Sequence, residues 1–142
     1  MTTYGAAKWQ GGLKDGKGAI STKSGALSEY PYGFASRFEG KPGTNPEELI
    51  GAALAGCFSM ALSANLEKAG HPAKRVDTTA NVKLEMVDGG PKITTIELEN
   101  ESEVPGLDAQ AFQEQAEKTK TGCPVSKALT GTEIKLKAKL KS

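Results

Sequence analysis

The chain has 142 residues, of which 25% are charged, and a net charge of +1. That length predicts one domain spanning residues 1–142, with enough core to fold without disulfide or metal staples. The balanced charge argues against a disordered chain and against a polybasic nucleic-acid arm. Along the first 40 residues, Ala6 to Gln10, Gly18 to Ser24 and Gly33 to Glu39 read as three short strands. Gly11-Gly12, Asp15-Gly16, Ser24-Gly25 and Pro31-Tyr32-Gly33 supply the turn chemistry between them. A helix starts at Asn45-Pro46-Glu47-Glu48, which offers an N-cap, a proline for the first helical position and two carboxylates for the positive end of the dipole. Leu49 to Leu62 is apolar or small on every face, which predicts a buried helix, and 14 such residues fall short of a membrane span. Gly70, followed by Pro72, stops it. Val76 to Val87 alternates, with Val76, Thr78, Ala80, Val82, Leu84 and Met86 on the inward side. Asp88-Gly89-Gly90-Pro91 turns the chain into a return strand, Ile93 to Val104. Asp108 caps a helix over Ala109 to Thr121, and a shorter one restarts at Cys123-Pro124. Glu133 to Lys141 closes the chain as a strand with one face buried. The order βββ-α-ββ-α-α-β is that of an α+β fold.

Two cysteines, Cys57 and Cys123, and one histidine, His71, are too few and too widely spaced for a structural zinc site. No metal or cofactor is expected. His71 precedes Pro72 in a turn, a poor setting for a Ser-His-Asp triad. The N-terminal residues lack the basic and apolar stretches of a secretory signal, so the reading is cytoplasmic. Thiols are normally kept reduced there, which disfavours a structural disulfide and leaves room for a transient catalytic one. Gly11 to Gly18 nearly spells a phosphate-binding loop. Gly18 stands where that loop needs Ser or Thr, and a strand follows instead of a helix, so a hairpin is expected.

Cys57 lies inside the apolar run, where a free cysteine usually acts as a small buried hydrophobe. Burial raises a thiol pKa, so Cys57 becomes reactive only if a cation reaches it. Arg37, between Phe34 and Phe38, is the best candidate. Cys123 sits at a helix N-terminus, so local rules make it the more acidic thiol of the two. Glu47 precedes Cys57 by ten residues, about 15 Å along a continuous helix, which a glutamate cannot span. If both serve one site, either the helix breaks or the glutamate belongs to another subunit.

Four stretches carry a resemblance to a known family. They are Pro31-Tyr32-Gly33-Phe34 with Arg37-Phe38-Glu39-Gly40, Gly43 to Ala53, Ala55 to Leu62, and Gly122-Cys123-Pro124-Val125-Ser126. Together they resemble the OsmC branch of the OsmC/Ohr superfamily over essentially the whole chain. The arginine within Gly33 to Phe38 is the OsmC arrangement; in the organic hydroperoxide resistance branch it lies in a loop nearer the N-terminus. The resemblance implies an intertwined homodimer with active sites built from both subunits, which would resolve the Glu47 distance. It implies a cysteine peroxidase that reduces organic hydroperoxides to alcohols, and hydrogen peroxide more weakly, in oxidative or osmotic stress. By matching motif positions, Cys57 is similar to the peroxidatic cysteine and Cys123 to the resolving one. Arg37 is similar to the arginine that stabilises the thiolate, and Glu47 to the carboxylate that orients it. An external thiol, of the lipoyl kind, would restore the pair; no nucleic acid or membrane is implied. Phe58, Met60 and Phe34 are the candidates for lining the substrate pocket. The competing expectation is a non-catalytic, stress-related dimer that binds an apolar ligand at its interface.

Overall fold

The computed structural model describes residues 1–141 as an α+β fold with two three-stranded sheets and four helices, in two compact units divided in sequence between Leu49 and Ile50. The first unit, Met1–Leu49, contains β1 (Gly5–Gln10), β2 (Lys17–Thr22) and β3 (Tyr30–Tyr32), an antiparallel meander in that order. The near-phosphate loop is the β1–β2 hairpin connection, tied by Gly12 N–H donating to Asp15 Oδ1 (3.0 Å) and Gly16 N–H to the Gly12 carbonyl (2.9 Å). Gly18 faces the rings of Tyr32 and Trp9, and a Cβ there would fall 2.4 and 2.7 Å from them. Glycine is needed at that position to pack the sheet's aromatic pair, not to cradle a phosphate.

The expected third strand, Gly33 to Glu39, is instead α1 (Phe34–Phe38), with β3 ending just before it. The Ser36 hydroxyl closes the helix start: Gly33 N–H donates to it (2.9 Å), and it donates to the Thr44 carbonyl (2.9 Å). Phe34 and Phe38 then stack on one helix face, with ring centroids 5.0 Å apart. The order is therefore βββ-α-α-ββ-α-α-β, one helix more than expected.

The long helix α2 (Pro46–Lys68) begins as expected, with Asn45 Oδ1 accepting from Glu48 N–H (2.8 Å). It is unbroken for 23 residues. In the second unit, from Ile50 onward, its Leu54, Phe58, Leu62 and Leu66 are fully buried with Ile96, Leu98, Phe112 and Ala116. By length and composition α2 could cross a membrane, but this buried stripe makes it a core helix. The expectation of burial on every face is corrected: Ala53, Gly56, Met60 and Ala64 are exposed. Four-fifths of Met60 is accessible. Gly51 lets α2 approach the sheet closely, since a Cβ there would stand 3.2 Å from the Ala80 carbonyl oxygen.

The second sheet has the order β4 (Arg75–Val87), β5 (Gly90–Glu103), β6 (Glu133–Lys141). The β4–β5 turn needs only Asp88 and Gly89, both at positive φ, so β5 starts earlier than expected. Strand β4 alternates as expected as far as Leu84, but Met86 is exposed. The register shifts between Lys83 and Leu84, and β6 pairs with β5 only from Thr95 onward, so the hairpin tip runs beyond the sheet's third strand. Strand β6 lies parallel to β5, which requires a crossover. Helices α3 (Ala109–Gly122) and α4 (Pro124–Ala128) supply it.

Candidate active site

The crossover and the core helix bring the two thiols together. Cys57 is half-buried on α2, one residue before Phe58. Cys123 lies between α3 and α4 and is 1% exposed. Both are free thiols, close enough that each shifts the titration of the other. Three local features fix Cys123. Its N–H donates to the Thr119 carbonyl (3.2 Å), Pro124 begins α4 behind it, and its sulfur accepts from Ser126 N–H (3.4 Å) as the cap of α4. Asn65 of α2 donates to the Thr119 hydroxyl (2.9 Å) and so ties the end of α3 to the helix that carries Cys57.

The two sulfurs differ in their electrostatics. Burial pushes the Cys57 thiol above the ordinary cysteine range; the Val125 amide opposes this, and neighbouring Cys123 adds to it. Burial also pushes Cys123 upward, but the Ser126 hydroxyl and amide, the Cys57 thiol and the Val125 amide outweigh it, so Cys123 lies below that range. This agrees with the expectation that Cys123 is locally the more acidic thiol. The cause lies chiefly in Ser126 rather than in a dipole, since α4 is only five residues long.

A second constellation lies wholly in the first unit. Arg37, on α1 and not on a strand, grips Glu47 in the first turn of α2. Its Nη2 donates to Oε1 (2.6 Å), and its Nε donates to Oε1 (3.0 Å) and to Oε2 (3.2 Å). Glu47 is 8% exposed and its carboxylate is held by this fork. Glu48 is directed elsewhere, accepting from the Thr44 hydroxyl (2.7 Å). Of the two neighbouring glutamates it is therefore Glu47 that Arg37 holds. Two close contacts set α1 in place: Ser36 binds the Thr44 carbonyl, and Gly43, at φ 131°, leaves no room for a Cβ 2.9 Å from that of Ser36.

The structure thus pairs Cys57 with Cys123, and Arg37 with Glu47. Of the expected pocket residues, Phe58 is fully buried in the core, Phe34 is half-buried, and Met60 is exposed. Sequence reasoning gave no role to Ser126, Thr119 or Asn65. Ser126 carried a usable signal, because a serine three residues after a cap is placed to face it.

A family model described as OsmC-like protein matches residues 38–139. The chain belongs to the OsmC family. It is 56% identical over 138 residues to peroxiredoxin OsmC of Escherichia coli (strain K12), a match covering 97% of this chain and 96% of the relative. Peroxiredoxin OsmC of Shigella flexneri matches to the same extent. Among solved structures, the organic hydroperoxide resistance protein OhrB of Bacillus subtilis superimposes with a TM-score of 0.72 at 28% identity, covering 99% of this chain and 98% of that one. An OsmC-like protein of Mycoplasma pneumoniae reaches 0.77 at 14% identity, over 100% of this chain and 99% of its own, and so shares the OsmC fold.

Proposed function

We propose that this chain is a thiol-dependent peroxidase that reduces organic hydroperoxides to alcohols, and hydrogen peroxide more slowly. The observation that carries the reading is the pair of free, neighbouring thiols, Cys123 in the apolar core and Cys57 packed against it. Family membership and the names of the relatives support it.

In this reading Cys57 is the peroxidatic residue. Its thiolate attacks the peroxide oxygen, the O–O bond breaks, the alkoxide leaves and takes up a proton as the alcohol, and Cys57 becomes a sulfenic acid. Cys123 then displaces hydroxide from the sulfenic sulfur, and a Cys57–Cys123 disulfide forms. An external dithiol, of the lipoyl kind, restores both by exchange. The apolar cluster against which Cys57 packs favours an alkyl peroxide over hydrogen peroxide.

Because burial and Cys123 raise the Cys57 thiol, it needs a cation. Arg37, oriented by Glu47, is the cation we assign. Helix α2 is continuous, and ten residues rise about 15 Å, so Glu47 acts in a homodimer, on the cysteine of the partner subunit. Two features support the dimer. Ala53, Gly56, Met60 and Ala64 follow at helical spacing on the exposed face of α2. Among the described residues, every fully buried apolar side chain lies at Leu54 or beyond, so the first unit has no apolar core of its own. Such a three-stranded piece is marginal without a surface to cover.

The test is a comparison of reduced protein with cumene hydroperoxide and with hydrogen peroxide, in the presence of a dithiol, beside Cys57→Ser. We expect rapid loss of the organic peroxide that outpaces hydrogen peroxide and vanishes in the variant. No turnover of either peroxide by protein with free thiols would overturn the reading in favour of an apolar-ligand-binding dimer.

A further inference from the structure

We propose that Ser126 is a working part of the thiol pair: its buried hydroxyl donates to the Cys123 sulfur and favours the thiolate of that cysteine when the disulfide closes. Ser126 Oγ lies 3.1 Å from Cys123 Sγ, and Ser126 N–H donates to the same sulfur at 3.4 Å. Ser126 is 5% exposed and Cys123 1%, so water does not compete for either group. The Cys123 sulfur is the side-chain partner of the Ser126 hydroxyl. A hydroxyl can donate to a thiolate or accept from a thiol; only the first strengthens when the sulfur becomes charged. The arrangement therefore discriminates between the two protonation states, and the direction in which Cys123 is displaced agrees with it.

The other groups about Cys123 do not supply this effect. Cys57 on α2 is the titratable side chain that faces it. Lys120 is engaged with Glu117 (3.1 Å), and Lys127 is exposed. No carboxylate or cation is among the groups that shift Cys123.

The place of this residue in a catalytic cycle rests on the peroxidase reading above; its effect on Cys123 does not. At closure, the Cys123 thiolate supplies the electron pair for the S–S bond, the S–O bond of the Cys57 sulfenic acid breaks, and hydroxide leaves to become water. The Cys57 sulfur is reduced as the Cys123 sulfur is oxidised, so no further oxidant enters. As the negative charge leaves Cys123, the hydroxyl is released from its strongest bond, which ties its contribution to this step.

The test uses the full chain carrying Cys57→Ser, in which Cys123 is the remaining thiol, and follows its alkylation by iodoacetamide against pH. We expect Ser126→Ala to move the midpoint up by about one pH unit, and Ser126→Thr, which keeps the hydroxyl, to restore it. In chain with both cysteines, Ser126→Ala should slow disulfide closure after one peroxide pulse by about threefold to fourfold below the midpoint. That is less than tenfold, because a more basic thiolate is also a better nucleophile. A folded Ser126→Ala protein with an unmoved midpoint would overturn the proposal and leave Ser126 a packing residue. So would a Cys123 midpoint, in protein that keeps Ser126, at or above that of a free cysteine; this readout needs no Ser126 variant to fold. A shifted midpoint in protein that turns over no peroxide would uphold the role of Ser126 while overturning the peroxidase.

Discussion

Glu47 and Glu48 are neighbours of identical chemistry, yet one turn of helix gives them different partners: Arg37 for the first, Thr44 for the second. The Arg37 fork has about three-fifths of its side chain out of water while Glu47 is nearly buried, so the pair is costlier to break than a surface ion pair. Arg37→Ala leaves the buried carboxylate without its donors and should destabilise the chain by about 1–3 kcal/mol. In the proposed dimer the same change removes the cation that opposes the burial of Cys57. The Cys57 thiol then rises further, its thiolate fraction at neutral pH falls, and alkylation of Cys57 at pH 7 slows by about tenfold. Arg37→Lys, which keeps the charge but loses the fork, should fall between. A pH profile of Cys57 alkylation unchanged by Arg37→Ala would contradict the assignment. The identities of Cys57, Cys123, Arg37 and Glu47 were legible as motif residues in the sequence. Their two pairings were implied only by the family resemblance, because the partners lie 66 and ten residues apart and spacing alone cannot bring them together. Ser126 stood in a quoted motif, but a serine's value depends on which atom it faces.

At the level of elements, Gly33 to Glu39 shows how a short segment misleads. Phe34, Ser36 and Phe38 satisfy the alternation of a strand, and Phe34 and Phe38 equally satisfy the i, i+4 spacing of a helix. Seven residues cannot separate the two periods, and the Ser36 contacts to Gly33 and Thr44 decide for the helix. The last strand was legible in its boundaries but not in its direction. Glu97, Glu99, Glu101 and Glu103 stand opposite Lys135, Lys137, Lys139 and Lys141 across the parallel β5–β6 ladder. That charge matching fits the register, and an antiparallel pairing would have offered other matches from the same residues. Helix α2 is the most informative error. Its apolar character on all sides is real, but one chain buries only one side, and Ala53, Gly56, Met60 and Ala64 are exposed on another. In the proposed dimer, Met60→Asp puts a charge into that covered face and should weaken self-association by at least about tenfold. Sedimentation velocity across a dilution series would show the shift. A wild-type chain that sediments as a monomer at all concentrations would contradict the dimer.

At the level of the whole molecule, the fold divides its labour between two units. Residues from Ile50 onward hold the apolar core and both thiols; residues up to Leu49 hold the Arg37–Glu47 pair and no fully buried apolar side chain. A small unit that carries charged machinery but no core is explained if it folds against another subunit, which is the dimer the family resemblance implies. Length pointed to a single domain and the order of elements to an α+β fold, but neither could reveal this division, because a missing core in one third of a chain does not show in either. The central claim is that Cys57 and Cys123 exchange electrons with a peroxide. Its most direct test is a single turnover: fully reduced protein receives one equivalent of cumene hydroperoxide without reductant and is read by intact mass and by peptide mapping. The account predicts the loss of two hydrogens and a linked pair of peptides bearing Cys57 and Cys123, with Cys123→Ser instead gaining one oxygen at Cys57, and going on to sulfinic acid when a second equivalent is added. A chain that consumes the peroxide without linking these cysteines, or leaves both thiols free, would contradict it.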